Sequence, residues 1–424
     1  MLDQRYTPVD LKTTNFFKPL KLNDNITLQH RGVLAPLTRM RADGDHVLKQ
    51  TTDYTEEEDW KNFISDPANK TGDKKRGLTE EYYHQRSQKK GTLLITEASF
   101  ISEKAGGYDN VPGIYSEDQV KSFSKITNAV HENESYIFLQ LWHLGRAAIP
   151  AVLKRDGLDY VSASDVYIHK DDIYETKKSA LEFDNPLRPL TIEEIDSTVQ
   201  DYLNGARNSF KAGFDGVEIH SANGYLLNQF LDKNSNRRTD EYGAQNFENR
   251  SRFLFRVFDT LAAEFGADKV AIRLSPYGSF GGMTGGDDIE ETESFYTYLF
   301  DQFEERRLKG NGPVYVSLVE PRVANLLLPE GEGELDGVSN DLYISHFSGV
   351  VLRAGNMALG NAFTKEIVDQ NDRTLVAYGR YFIANPDLIE RLENEWPLNK
   401  YDRSTFYTPD FKGYIDYPYF KSTE

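Results

Sequence analysis

The chain has 424 residues, with 49 Lys and Arg against 67 Asp and Glu, a formal charge of −18, and no cysteine. Such a charge argues against general nucleic-acid binding, which relies on Lys and Arg patches to neutralise phosphates, and the lack of thiols excludes disulfides, cysteine nucleophiles and cysteine-ligated zinc or iron–sulfur centres. Hydrophobic residues at 39% and charged residues at 27% describe a globular chain with a substantial core, not a disordered or collagen-like one.

The start of the chain has no cationic segment followed by an apolar run, and no apolar stretch of about 18 residues follows anywhere. A cytoplasmic protein is expected, without a membrane partner. Short β-branched runs then alternate with helical patterns, the signature of βαβ units. Val33-Leu34-Ala35-Pro36 is the first run, and the polar residues 43–79 after it are expected to form a mobile surface insertion. Leu93-Leu94-Ile95-Thr96 is the second. Ser116 with Gln119 offers a capping box ahead of the third, Ile137-Phe138-Leu139-Gln140-Leu141. Residues 150–190 are expected as a lid-like excursion over a barrel mouth. Thr191-Ile192-Glu193-Glu194 is a second capping box, and Ile192, Ile195, Val199, Leu203, Ala206 and Phe210 follow it at helical spacing. The fourth run is Gly216-Val217-Glu218-Ile219-His220. Phe253, Val257, Leu261 and Phe265 form an i, i+4 ladder that ends at Gly266, ahead of Val270-Ala271-Ile272-Arg273-Leu274. Val314-Tyr315-Val316-Ser317-Leu318-Val319, Val350-Val351-Leu352-Arg353 and Leu375-Val376-Ala377-Tyr378 complete the series. The spacing leaves room for a helix between all but the last two runs, and Asn385-Pro386 reads as an N-cap with proline at the first helical position. Eight runs predict an α/β fold, a (β/α)8 TIM barrel of one domain over residues 1–424.

Barrel enzymes carry their chemistry at the C-terminal ends of the strands. Gly355-Asn356 and Gly379-Arg380 follow the last two runs, where glycine amides and a guanidinium suit a phosphate. His220, Asn223 and Tyr225 lie within six residues after the fourth run: two hydrogen-bond donors and a phenol suit a carbonyl oxygen that becomes negative. Arg273 would either pair with a carboxylate or stabilise negative charge on a reduced flavin. In such a flavin site Thr38 and Gln140 would hydrogen-bond the ring edge, and Trp142, Phe280, Phe406 and Tyr407 would line an apolar slot, although in a chain with 25 Phe and 25 Tyr most aromatics belong to the core. No histidine pair has metal-ligand spacing, so no metal is expected. Glu218 and Glu320 keep a glycosidase-like carboxylate pair open as a rival.

Several stretches resemble motifs of the Old Yellow Enzymes of fungal type: Ala35-Pro36-Leu37-Thr38-Arg39-Met40, Ala105-Gly106-Gly107-Tyr108, Gln140-Leu141-Trp142, residues 215–231 and 237–242, Arg273-Leu274-Ser275-Pro276, Val319-Glu320-Pro321-Arg322, Arg353-Ala354-Gly355-Asn356, Gly379-Arg380 and Asn399-Lys400-Tyr401-Asp402-Arg403. They run in family order through nearly the whole chain. The resemblance implies an FMN-dependent NADPH dehydrogenase or ene-reductase, with FMN held noncovalently and NADPH as reductant. By the same resemblance Pro36, Thr38, Ala98, Gln140, Arg273, Gly355, Asn356, Gly379 and Arg380 contact the cofactor. His220 and Asn223 bind the carbonyl oxygen of an enone or a phenolic ligand, Tyr225 protonates the α-carbon, and Tyr108, Trp142, Phe280, Phe406 and Tyr407 line the substrate site. Acidic surfaces and barrel helices permit either a monomer or a homodimer. This chain departs from the pattern at Ala98, where glycine is common, in the length of 43–79, and at Arg146, Gly281-Gly282 and Leu327, which imply an altered substrate wall. A flavoprotein that binds phenols or steroids with little turnover is a third reading.

Overall fold

Side chains alternate between the two faces of a strand, and in this chain both faces are apolar at the strand beginnings. That pattern requires a sheet covered on both sides. The structure, a computed structural model, describes residues 1–49, 76–168, 176–323, 328 and 332–421. Eight parallel strands form a barrel: β1 (Gly32–Leu34), β2 (Leu93–Ile95), β3 (Tyr136–Trp142), β4 (Gly216–His220), β5 (Val270–Leu274), β6 (Val316–Val319), β7 (Val351–Ala354) and β8 (Thr374–Tyr378). Each pairs with its neighbour in sequence, and β8 closes on β1 with Tyr378 opposite Leu34. All eight expected runs are strands of this barrel.

Val33, Leu93, Phe138, Ala271, Tyr315, Leu352 and Leu375 fill the lower interior, and the antiparallel pair Leu20–Lys21 and Thr27–Leu28 adds Ile26 and Leu28 to the same cluster. Two residues further along the strands, the same inward parity carries Gln140, Glu218, Arg273 and Ser317. The barrel is thus apolar below and polar just under its mouth. The larger apolar cluster joins strands to helices, chiefly α1 (Leu78–Arg86), α2 (Glu117–His131), α3 (Ile192–Lys211), α4 (Phe247–Phe265), α5 (Ile289–Leu308) and α6 (Asn361–Gln370). Both expected capping boxes form: Ser116 and Gln119 at α2, Thr191 and Glu194 at α3. The ladder on α4 ends at Gly266, whose φ of 90° is open to glycine.

Four expectations change. The last two strands are separated by a helix, α6, because ten residues suffice for a short one. Asn385 does not cap the helix Leu388–Glu393, which starts from Asp387. Its buried carboxamide instead donates to the carbonyls of Tyr381 and Asn399 and accepts from the Asn399 amide, tying two segments together. Of the expected insertion, residues 50–75 lie outside the described residues, while Ala42 bridges Leu48 and Leu48 is buried, so its near end is packed down. The excursion at 150–190 forms the helices Pro150–Arg155 and Thr176–Glu182 and the parallel pair Val161–Ser162 and Arg188–Pro189. None of its described residues reaches the central cavity. It is held at the side because Tyr160 donates to the Arg146 carbonyl, Ser162 to Gln229, and Arg238 to the carbonyls of Ala163 and Leu190.

The C-terminal segment has little secondary structure of its own to satisfy its carbonyls, and three buried arginines do so. Arg39 donates to Phe406 and Gly413, Arg41 to Thr405 and Phe406, and Arg86 to Tyr414. This strap carries Phe406 and Tyr407 across the chain to the barrel mouth. Beneath it Glu97, 1% exposed, accepts the Arg39 amide at 3.1 Å. Burial pushes the Glu97 carboxyl up to about 7. A carboxyl raised on folding stabilises the native state while it keeps its proton, so its contribution is complete below the unfolded value near 4.5 and is lost as pH rises through about 7. Glu97→Gln is expected to remove that slope, gaining about 3 kcal/mol over the parent at pH 8 and little at pH 5. Urea unfolding at the two pH values measures it; an equal gain at both would mean that ionisation of Glu97 has no part in the effect.

Candidate active site

The strand ends of the barrel converge on one cavity of about 310 Å³. Its walls take Ala35, Pro36, Leu37 and Thr38 after β1, Ala98 after β2, Gln140 and Trp142 from β3, and His220 from β4. Asn223 and Tyr225, Arg273 and Phe280, Gly355 and Asn356, Gly379 and Arg380 and, from the strap, Phe406 and Tyr407 complete the expected set. Of the catalytic, cofactor and substrate residues assigned from sequence, only Tyr108 is not on the wall; it packs edge-on against Trp142 with ring centroids 6.0 Å apart. Gly281-Gly282, expected to alter the substrate wall, also do not line it. Leu327 lies outside the described residues.

The turn after β4 places three functional groups together. Asn223 and Gly224 have φ of 56° and 73°, so the chain reverses at once and Tyr225 precedes the helix Leu226–Leu231. A Cβ on Gly224 would meet the Phe280 carbonyl at 2.7 Å, so glycine allows this turn to press against the next loop. The Asn223 amide donates to Ser275 and the Gly224 amide to Asn228, while the Gln229 side chain donates to the Gly224 carbonyl. The resulting ring cluster is close: Tyr225 meets Trp142 edge-on at 4.7 Å and His220 at 4.9 Å. His220 stacks 6.1 Å from Trp142.

Electrostatics complete the assembly. Burial, aided by the nearby Arg273 charge, holds the His220 imidazole well below its ordinary range, so it is neutral at pH 7 and donates without carrying charge. Burial likewise pushes the Tyr225 phenol well above its ordinary value, with Tyr108 and Tyr407 adding to the effect, and the phenol keeps its proton across the working pH range.

At the opposite end of the cavity, Gly355 has a φ of 139°, and a Cβ there would stand 3.2 Å from Glu320 Cβ. Only glycine fits that turn without displacing the loop. Arg380 begins a short helix, Arg380–Ala384, and its guanidinium sits 6.0 Å from the centre of the Tyr401 ring. Arg403, Met357, Ala358 and Tyr378 also line the cavity. Sequence reasoning did not select these four, although their places beside Gly355-Asn356, at the end of β8 and in the Asn399–Arg403 motif were the available signal. The cavity therefore joins a cationic, glycine-lined end through alanine, proline and leucine walls to a polar floor of Gln140 and Arg273. That polarity fits a flat ring with an anionic tail, as FMN has.

Arg146 is buried and donates to the carbonyls of Gly281 and Gly282 and to that of Val166. It braces the Phe280 loop from behind and does not line the cavity. Neither rival carboxylate is free to act as a hydrolytic pair. Glu320 forms a two-point ion pair with Arg353, and Glu218 accepts from Gln140 beneath the cavity wall. Among the described residues no group of His, Asp and Glu is placed to hold a metal ion, and no helix is long and apolar enough to cross a membrane.

Comparison with known proteins agrees with this geometry. The model of the NADH:flavin oxidoreductase / NADH oxidase family matches residues 64–399. Enoate reductase 1 of Kluyveromyces lactis is 46% identical over 415 residues, covering 97% of this chain and 96% of the relative. A probable NADPH dehydrogenase of Candida albicans is 40% identical over 410 residues, covering 96% and 91%. The crystal structure of Old Yellow Enzyme from Pichia sp. AKU4542 superposes with a TM-score of 0.82 at 38% identity, covering 98% of this chain and 96% of that one. Morphinone reductase in complex with tetrahydroNAD gives 0.75 at 34% identity, covering 96% and 98%. The chain belongs to the NADH:flavin oxidoreductase / NADH oxidase family, and it is an FMN-dependent oxidoreductase of the Old Yellow Enzyme type.

Proposed function

We propose that this enzyme reduces the carbon–carbon double bond of α,β-unsaturated ketones and aldehydes at the expense of NADPH, which reduces FMN in the same open cavity. The observation that carries the reading is the convergence of His220, Asn223 and Tyr225 on the wall shared with Gln140 and Arg273. FMN, when bound, supplies the hydride that the β-carbon receives. His220 and Asn223 hold the carbonyl oxygen by two hydrogen bonds, which strengthen as charge gathers on that oxygen. Tyr225 gives its phenolic proton to the α-carbon and regains one from solvent. Trp142, Phe280, Phe406 and Tyr407 flank the carbon skeleton, and Tyr407, 61% exposed, stands at the rim where substrate enters. A phenol occupies the same pair of donors through its oxygen.

The test is an anaerobic visible spectrum of the purified protein, with NADPH added first and cyclohexenone second. A flavin band that bleaches with NADPH and returns with the enone is the expected result. A band that bleaches and does not return would remove enones from the function; a protein that takes up no FMN would remove the flavin reading itself.

A further inference from the structure

Glu218 is the one acidic side chain on β4, 0% exposed, and absent from the cavity wall. It has no place in the proposed transfer of hydride and proton, yet it costs free energy to keep a carboxyl so deeply buried. What it touches gives the reason. Gln140 and Glu218 are direct partners across β3 and β4, and the Gln140 Nε2 donates to Glu218 Oε1 at 2.7 Å. A carboxylate only accepts, so the amide end of Gln140 has to turn down towards it and the carbonyl end has to face the cavity. On the other side, Arg273 is an inward residue of β5, in register with His220, and lines the cavity. Its guanidinium donates to Ser317 Oγ at 3.2 Å. Burial pushes the Glu218 carboxyl up, and the Arg273 charge, the Gln140 amide and the Tyr315 phenol act against that by favouring the ionised form. The two polar groups on the cavity floor, which a bound flavin ring would meet, are therefore both influenced from below by one acid.

We infer that Glu218 is a positioning residue for the cofactor: it orients the Gln140 carboxamide with its oxygen towards the ring and offsets the charge of Arg273, and so sets how much more tightly reduced FMN is held than oxidised FMN. The inference rests on the FMN reading above. Reduction places extra negative charge on the ring. Arg273 favours that charge, and the carboxylate beneath it opposes it. Through the polar layer the acid acts on a cofactor that it never touches.

Two variants separate its two roles. Glu218→Gln keeps a carbonyl acceptor for Gln140 and removes the charge, whereas Glu218→Leu removes both. The measurement is FMN affinity in the oxidised and reduced states at pH 8, through direct titration of apoprotein and equilibration against a reference redox dye. The Gln variant is expected to bind oxidised FMN within about twofold of the parent. It is also expected to prefer reduced FMN by about tenfold more, the size of a unit charge acting through an effective dielectric near 20, or about 30 mV for two electrons. The Leu variant should show the same shift and in addition lose about tenfold in oxidised-FMN affinity, because its Gln140 amide is left without an acceptor. Thermal unfolding of the apoproteins shows whether each variant is folded, and the Gln variant, nearly isosteric, keeps the question decidable if the Leu variant is not. Parent-like potential in the Gln variant would overturn the inference while leaving the FMN reading intact. Failure of the parent itself to bind FMN in the same titration would remove both.

Discussion

Replacing Tyr225 with phenylalanine is expected to slow enone turnover by about 10²–10⁴, the usual contribution of a positioned general acid, while NADPH-driven bleaching of the flavin proceeds at close to the parent rate. The substitution removes one oxygen from a ring whose place is fixed by its edge-on contacts with Trp142 and His220, so packing is retained. The loss falls on kcat for the enone half-reaction and not on cofactor affinity. Because burial holds the phenol proton well above the ordinary range, the parent rate should not decline between pH 6 and 9 through ionisation of Tyr225. Stopped-flow absorbance resolves the two half-reactions. Equal loss in both would assign Tyr225 to the architecture of the cavity, and no loss in either would remove the phenol from the chemistry.

The second large effect is on stability. Glu320 and Arg353 are 2% and 3% exposed and meet through two short contacts, Nε to Oε1 at 2.7 Å and Nη2 to Oε2 at 3.0 Å. Asn340 adds a hydrogen bond to the same carboxylate. Glu320→Ala strands the guanidinium beside only the exposed Asp341, and breaking such a buried pair costs about 3–5 kcal/mol. The double variant with Arg353→Met is expected to recover much of that loss, since the cost lies in the unpaired charge and not in the missing attraction. Denaturant unfolding of the apoproteins measures both. Glu320 also backs the Gly355 turn, and its amide donates to the Ala354 carbonyl at 2.7 Å. Alanine keeps both that amide and the Cβ, so in Glu320→Ala the Gly355 turn is expected to stay in place and FMN affinity to change little while stability falls. A single variant as stable as the parent would mean that the ion pair contributes no net stability.

These effects differ in how far they can be foreseen from the order of residues. The eight strands and the two capping boxes depend on interactions within a few residues: β-branched runs of strand length, and a side chain closing on an amide three positions away. They were legible for that reason. The cluster of His220, Asn223 and Tyr225 was legible too, since one tight turn of left-handed Asn223 and Gly224 suffices to bring it together. Asn385 was misread because its carboxamide closes the preceding helix on the Tyr381 carbonyl and makes two more bonds to Asn399 on another buried segment, and a local cap competes poorly with three hydrogen bonds.

The sequence by itself determined the barrel, its strand order and the identity of the groups around the mouth, because strand periodicity, helix caps and the motif residues are local properties. Only the tertiary structure decided what each buried charge does. Cross-strand register puts Glu218 against Gln140 and not in a hydrolytic pair with Glu320, and hydrogen bonds spanning more than 300 residues let Arg39, Arg41 and Arg86 strap Phe406 and Tyr407 to the site. Side contacts at Arg146, Gln229 and Arg238 kept the described residues of the 150–190 excursion away from the mouth. A buried ion must find a partner wherever the fold brings one, and a residue's neighbours in sequence do not say which partner that is.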